Sequence, residues 1–208
     1  MDNPIIFERK NVKDIYNLIS NEFSSKRFSK WSWIELFLDD LDTGLILDIG
    51  CGNGRNMTHT KHQFVGIDNC ENFIKICLNK GLNVINCDMT KIPLKENYFD
   101  CILSIASFHH LSCPNRRHEC LKEMSRMLKP NGSILLSVWS YDQTHNYKLK
   151  FEYGNNYVPW KNKDGAVKGQ RYYYIFKPKE LRELLEIYFK IELWGWNYGN
   201  EIIILKQK

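Results

Sequence analysis

Apolar residues along this chain fall into two alternating textures. One is a short continuous run: LILDIG (45–50), QFVGID (63–68), NVINCD (83–88), FDCILS (99–104) and GSILLSVW (132–139). Runs of this length, apolar throughout, predict strands buried on both faces. The other texture repeats at helical spacing. Residues 11–23 place Val12, Ile15, Tyr16 and Ile19 on one face, and a further helix is predicted at about 31–40. Residues 71–81 bring Phe73, Ile74 and Cys77 together, with Gly81 as a C-cap. Pro114 opens a helix carrying Leu121, Met124 and Leu128, which Pro130-Asn131-Gly132 ends. Leu181, Leu184, Leu185 and Tyr188 mark another over 178–189, before a closing antiparallel pair, 191–196 and 201–208, across Asn197–Asn200. Strands alternating with helices predict an α/β fold: a mostly parallel sheet with helices on both faces. Residues 141–175 break the pattern. They are polar, tyrosine-rich and without clear periodicity, and read as an insertion of the kind that carries function. No repeat or linker divides the chain, so residues 1–208 read as a single domain.

Composition narrows the partners more than the fold. Net charge is +5, which suits an anionic partner without establishing one. All seven cysteines lie between Cys51 and Cys120 with no C-x-x-C pair. An odd count without close pairs argues for reduced thiols and against a disulfide framework or a metal site. MDNPIIFERK has no apolar signal-like core, and no run is long enough to span a bilayer, so a soluble cytoplasmic protein is expected.

The chemistry begins at DIGCGNG, residues 48–54. Asp48 ends a strand, and Gly50, Gly52 and Gly54 let backbone approach a ligand, as expected at a helix N-terminus. A dinucleotide fingerprint needs glycine where Arg55 stands, which disfavours a nicotinamide oxidoreductase. The D-x-G-x-G-x-G spacing is similar instead to the cofactor loop of class I S-adenosylmethionine methyltransferases. Asp68 ends the second strand, placed for two ribose hydroxyls, and Asp88 with Met89 ends the third, placed for adenine. Each acid alone is an ordinary strand-end residue; three at successive strand ends of one sheet edge point to S-adenosyl-L-methionine. Asn69 and Ser104 are assigned to the same cofactor set. The fourth strand leads into SIASFHHLS, which lacks the Asn/Asp-Pro-Pro-aromatic motif of base-nitrogen methylation. Cys113-Pro114 has the wrong order for a covalent cysteine at pyrimidine C5. His109-His110 occupy the site instead.

EFSSKRFSKW (22–31), LSIASFHH (103–110), Arg116-Arg117, VPW (158–160) and RYYY (171–174) resemble the eukaryotic wobble-uridine tRNA methyltransferases, which esterify the carboxymethyl group of uridine 34. The resemblance spans nearly the whole chain. It implies the class I Rossmann-like fold, with a seven-stranded sheet in the order 3-2-1-4-5-7-6. It also implies an N-terminal helical lid over about 1–41 containing SSKRFSKW, and cytoplasmic and nuclear location. Arg27 would contact substrate, Arg171 and Tyr172 would close the other side, Trp160 would wall the pocket, and His109 and His110 would shape it. The implied partners are tRNA and a small zinc-binding activator subunit, paired with the edge strand at 83–87. Lys30, Tyr174 and Glu201 depart from the family pattern, and Tyr174 replaces a histidine. A small-molecule carboxyl methyltransferase and a cofactor-binding relative without turnover stay open on the sequence. Arg116 and Arg117 are candidates for phosphate contacts or for a plain helix start.

Overall fold

The computed structural model describes residues 3–27, 29–146, 149–162 and 164–208, so Phe28 of the expected lid lies outside the described residues. The chain starts with one long helical element: α1 (Pro4–Glu8), a π-helical turn at Arg9–Lys13, and α2 (Asp14–Lys26). It begins earlier than the apolar spacing predicts because Asn3 accepts the Ile5 N–H and Pro4 sits in the first turn. Then follow α3 (Ser32–Asp40), β1 (Leu45–Ile49), β2 (Gln63–Asp68), α4 (Glu71–Leu78), β3 (Val84–Asn86) and β4 (Phe99–Ile105). A 3-10 turn at Phe108–His110 leads to α5 (Pro114–Met127) and β5 (Leu128–Trp139). The chain ends with β6 (Gly154–Lys161), β7 (Val167–Ile175), α6 (Pro178–Glu186), β8 (Phe189–Asn197) and β9 (Asn200–Gln207).

Seven strands form one sheet in the order β3-β2-β1-β4-β5-β9-β8. This is the expected 3-2-1-4-5-7-6, because β6 and β7 pair separately as a hairpin. Strand alternation divides the core. Leu47, Ile49, Ile102, Leu136 and Leu205 join α5 and α6 on one face, while Ile46, Leu103, Leu135 and Ile202 pack with Ile34 and Leu38 of α3 on the other. Each such side chain, fully buried, contributes roughly 1.5–3 kcal/mol.

Three elements differ from the reading of the sequence. α5 ends at Met127, so Leu128 and Pro130-Asn131-Gly132 lie in β5 and not in or at the end of the helix. The segment 141–175 contains the β6–β7 hairpin, whose tyrosines and polar residues conceal a half-buried strand pattern. No helix follows the glycine-rich loop: turns occupy the stretch to β2, closed by Met57 N–H to Gly54 C=O and similar bonds. CGNGRNMTHTKH is rich in glycine, asparagine and threonine, whose helix propensity is low.

Candidate active site

The loop after β1 turns through three left-handed glycines. Gly50 needs its missing side chain, because a Cβ would collide with Ser107; at Gly52 a Cβ would meet open space, so this backbone faces the cleft. Gly54 packs against Leu82 and Cys77 instead of lining the cavity. The amides of Gly50 and Cys51 donate to Ile67 C=O, and that of Gly52 donates to Asp68 Oδ2 at 2.9 Å. The expected helix N-terminus is therefore replaced by a loop whose amides stabilise the loop itself.

Above it opens a cleft between this loop and the N-terminal helical element. Asp68 lies in its wall, fixed by N–H groups of Gly52 and Cys70 with lone pairs to spare, and burial pushes its carboxyl up to about 6. Asn69 and Met89 also line the cleft. Asp88 lines it too, but both oxygens are occupied: Oδ1 by Thr90 N–H and hydroxyl, Oδ2 by Arg116 at 2.6 Å. Burial works to raise its pKa, yet the Thr90 and Arg116 bonds outweigh it and hold it below the ordinary value. Asp48 sits beneath the loop, fully buried, with no hydrogen-bond partner on either oxygen; burial pushes it up to about 7. Ser104 is fully buried and reaches only Ser107 Oγ, at 3.1 Å, so Ala106 and Ser107 line the cleft in its place. The N-terminal element forms the facing wall through Glu8, Val12, Tyr16 and Phe23. The π turn keeps the i+4 spacing of Glu8, Val12 and Tyr16 on one face, where a plain α-helix would drift.

A second cavity shares Tyr16, Phe23, Arg55 and Ala106 with the first. His109, Arg171, Tyr173 and Trp139 line it, and exposed Arg27 lines it from the end of α2. His109 Nδ1 accepts the Trp139 N–H at 2.9 Å, so the ring proton is on Nε2, which is buried without a partner. Burial holds this imidazole neutral, far below its ordinary pKa. His110 donates Nδ1–H to Tyr172 C=O at 2.7 Å, so its Nε2 must accept from Tyr16 OH, and Tyr16 in turn accepts from Tyr173. Burial pushes His110 down to about 3. Arg171 is only 7% exposed, its Nε has no partner, and its guanidinium lies 5.1–5.9 Å from the ring centres of Trp160, Tyr173 and Tyr16. Trp160 is fixed by its bond to Glu22.

Tyr172 is a correction. Its hydroxyl donates to Asn155 and its ring packs on Phe7, on the opposite side of β7 from the cavity. The alternation of a strand puts Arg171 and Tyr173 on one face and Tyr172 and Tyr174 on the other, so Tyr173 is the residue sequence reasoning missed. Tyr174 bonds Glu180 and lies under the Arg117 guanidinium at 3.5 Å, so its departure from the family pattern falls outside the cavity. Arg116 and Arg117 are likewise corrected: both are buried, Arg116 between Glu8 and Asp88, and neither offers a surface to phosphates.

The cleft residues fit S-adenosylmethionine. Open space faces Gly52, and a half-buried acceptor at Asp68 keeps unused lone pairs. Among the described residues there is no cluster of metal ligands and no helix long and apolar enough to cross a membrane.

Residues 47–136 match the family model described as a methyltransferase domain. The chain is 35% identical over 204 residues to the tRNA (carboxymethyluridine(34)-5-O)-methyltransferase of Schizosaccharomyces pombe, covering 88% of this chain and 89% of that one. It is 41% identical over 138 residues to the enzyme of that name from Arabidopsis thaliana, covering 65% of this chain but only 34% of the relative. Among solved structures, an S-adenosylmethionine-dependent methyltransferase from Clostridium acetobutylicum shares the fold, with TM-score 0.70, 16% identity and coverage of 92% and 98%. So does a chain of the complex between the Haloferax volcanii Trm112 methyltransferase activator and a methyltransferase, with TM-score 0.67, 14% identity and coverage of 94% and 97%. The chain belongs to the tRNA (carboxymethyluridine(34)-5-O)-methyltransferase family.

Proposed function

We propose that the chain methylates the carboxylate of 5-carboxymethyluridine at the tRNA wobble position, using S-adenosylmethionine and forming the methyl ester. The observation that carries this reading is the Arg171 guanidinium, buried with no ion-pair partner among the described residues. Burying a charge costs several kcal/mol unless an opposite charge compensates, and here the compensating anion must come from a ligand. His109 Nε2–H is a second unpaired donor in the same cavity, and Arg27 a third basic group. A substrate carboxylate, with a pKa of about 4, is ionised at neutral pH and needs no general base. That agrees with two histidines held neutral by burial. Arg171 and Arg27 position the anion, His109 hydrogen-bonds it, and Tyr173, Trp139 and Phe23 exclude water. The cofactor supplies an electrophilic methyl group on a sulfonium.

The test is incubation with labelled S-adenosylmethionine and tRNA lacking the ester, followed by nucleoside analysis. Label in 5-methoxycarbonylmethyluridine is expected. Label only on small carboxylates would replace this reading with a small-molecule enzyme.

The proposal includes a zinc-binding activator subunit paired with the outer edge of β3. The Haloferax volcanii complex supports an activator as partner, and the ladder supports the edge: Asn83, Ile85 and Cys87 bond toward β2, so the backbones of Val84 and Asn86 face outward. Seven free cysteines support a reducing compartment, the cytoplasm or nucleus.

A further inference from the structure

The turn between β8 and β9 presents a tyrosine where local energetics favour another residue. Tyr198 has φ +42° and Gly199 φ +75°, the two left-handed positions of a tight hairpin turn. Asparagine, aspartate or glycine suits the first of these; a bulky aromatic is strained there. Tyr198 is also 67% exposed, and its ring meets only the edge of His145, with centroids 6.0 Å apart, so little packing compensates the strain. The backbone beneath is held rigid. Gly199 C=O accepts from Ser140 N–H and from Gln143 Nε2, each at 2.8 Å, and Asn200 Nδ2 donates to Tyr198 C=O at 3.1 Å. Gln143 and Asn200 are both buried. A fixed scaffold thus projects a ring into solvent, and backbone strain of this kind collects at functional sites.

The location suggests the ligand. Tyr198 and His145 line the rim of the anion cavity on one side, and Lys26, Arg27 and Lys30 line it elsewhere. Trp196, also exposed, meets His145 edge-on with centroids 6.1 Å apart. Single-stranded RNA needs both surfaces: cations for phosphates and aromatic rings for splayed bases. A protein partner would be better served by a contiguous apolar patch, whereas Asn197 and Asn200 flank Tyr198 in the turn.

We infer that the Asn197–Asn200 turn is a nucleobase-stacking platform, on which Tyr198 stacks an unpaired anticodon-loop base next to the wobble uridine. The inference rests on the tRNA reading above and adds a specificity element to it. Stacking uses the ring and not the hydroxyl.

The test compares the full chain with Tyr198→Phe and Tyr198→Asn. The probe is a synthetic, unmodified anticodon stem-loop carrying 2-aminopurine on the 3′ side of the wobble uridine. Wild type and Tyr198→Phe should bind and quench the fluorophore alike. Tyr198→Asn should bind about 5- to 100-fold more weakly, the range for loss of one stacked base. It should lose the quench and be at least as thermally stable, because asparagine tolerates the left-handed turn. Equal binding and quench by Tyr198→Asn, or no stem-loop binding by wild type, would overturn the platform. Methyl transfer to whole tRNA by the same preparations judges the functional reading separately. Transfer by wild type with unchanged Tyr198→Asn binding sinks only the platform. Stem-loop binding lost in Tyr198→Asn, with no transfer by wild type in the presence of the activator subunit, upholds the platform and sinks the reaction.

Discussion

Asp48 has no hydrogen bond on either oxygen and no open face, and the nearby Arg55 charge offsets its burial only in part, yet it occupies the acidic position of the loop motif. Its carboxyl titrates at about 7 in the folded chain, against 3.8 ordinarily, because burial disfavours the anion. Between those values the native state holds a proton that the unfolded state has released. Stability from this group is therefore present at low pH and lost as pH rises from about 4 to about 7. Asp48→Asn should flatten that decline by on the order of a few kcal/mol, read by denaturant unfolding at pH 4.5 and 8. Parallel slopes in both proteins would place the titration elsewhere. Arg171 gives the opposite balance of stability and function. Arg171→Met fills similar space without a buried, unpaired charge, so stability should change by less than about 1 kcal/mol. Turnover on carboxymethyluridine tRNA should still fall by at least about 100-fold, the scale of a lost transition-state contact to a charged group. Thermal melts and single-turnover rates read the two together; a large loss of stability without loss of rate would make the arginine structural. These residues also show where sequence reading reached its limit. RYYY announces a functional strand, but only the pairing of β6 with β7 shows which tyrosine shares a face with Arg171.

At the scale of elements, the strands of the main sheet were legible because burial on both faces demands uninterrupted apolar runs, and α5 and α6 because proline opens each. The hairpin was not, since Tyr173, Trp160 and Lys168 find partners far along the chain, in Tyr16 and Glu22. The lid was legible as a helix, but its latch was not. Glu8 accepts from Ser112 N–H and hydroxyl and from Arg116 Nε at 2.7 Å, and Arg116 continues to Asp88 in the cofactor cleft. A contact spanning over a hundred residues leaves no periodic trace. This chain couples the lid to the floor of the cleft. Glu8→Gln keeps the shape but leaves Arg116 and Asp88 without their third charge. Breaking a buried ion pair costs about 3–5 kcal/mol when one partner is removed; the remaining Asp88 contact should hold the loss near the lower end. Hydrogen exchange should then rise over 4–26 before it rises in the sheet, and cofactor affinity should fall with it. Uniform exchange across both would mean that the helix is not a separately opening lid.

The whole molecule pairs a basic net charge of +5 with a sheet whose two ends differ. One end closes with the β8–β9 hairpin, and the other with β3, only three residues long. The apolar pair Val84-Ile85 does not form a spare hydrophobic patch there. Ile85 packs on the main core and Val84 on the small cluster of Cys51, Met57 and Cys77, so both serve their own chain. A lysine at position 85 would damage the fold as well as any docking, and could not tell the two apart. What the edge offers a partner is backbone. Because 83, 85 and 87 bond toward β2, the outward N–H groups belong to Val84 and Asn86, and Asn86 is exposed. Proline removes an N–H and is tolerated on edge strands. Asn86→Pro should therefore leave the β2 ladder and the isolated chain's melting temperature nearly unchanged, while Asn86→Ala controls for the lost side-chain bond to Asp68 C=O. An activator that adds a strand through this edge depends on outward hydrogen bonds. Co-purification of the zinc-binding subunit should drop at least about tenfold with proline and hold with alanine, a difference on the scale of one or two hydrogen bonds. Equal recovery of the subunit with both variants would move the interface off β3, to a surface that does not use the sheet's free backbone.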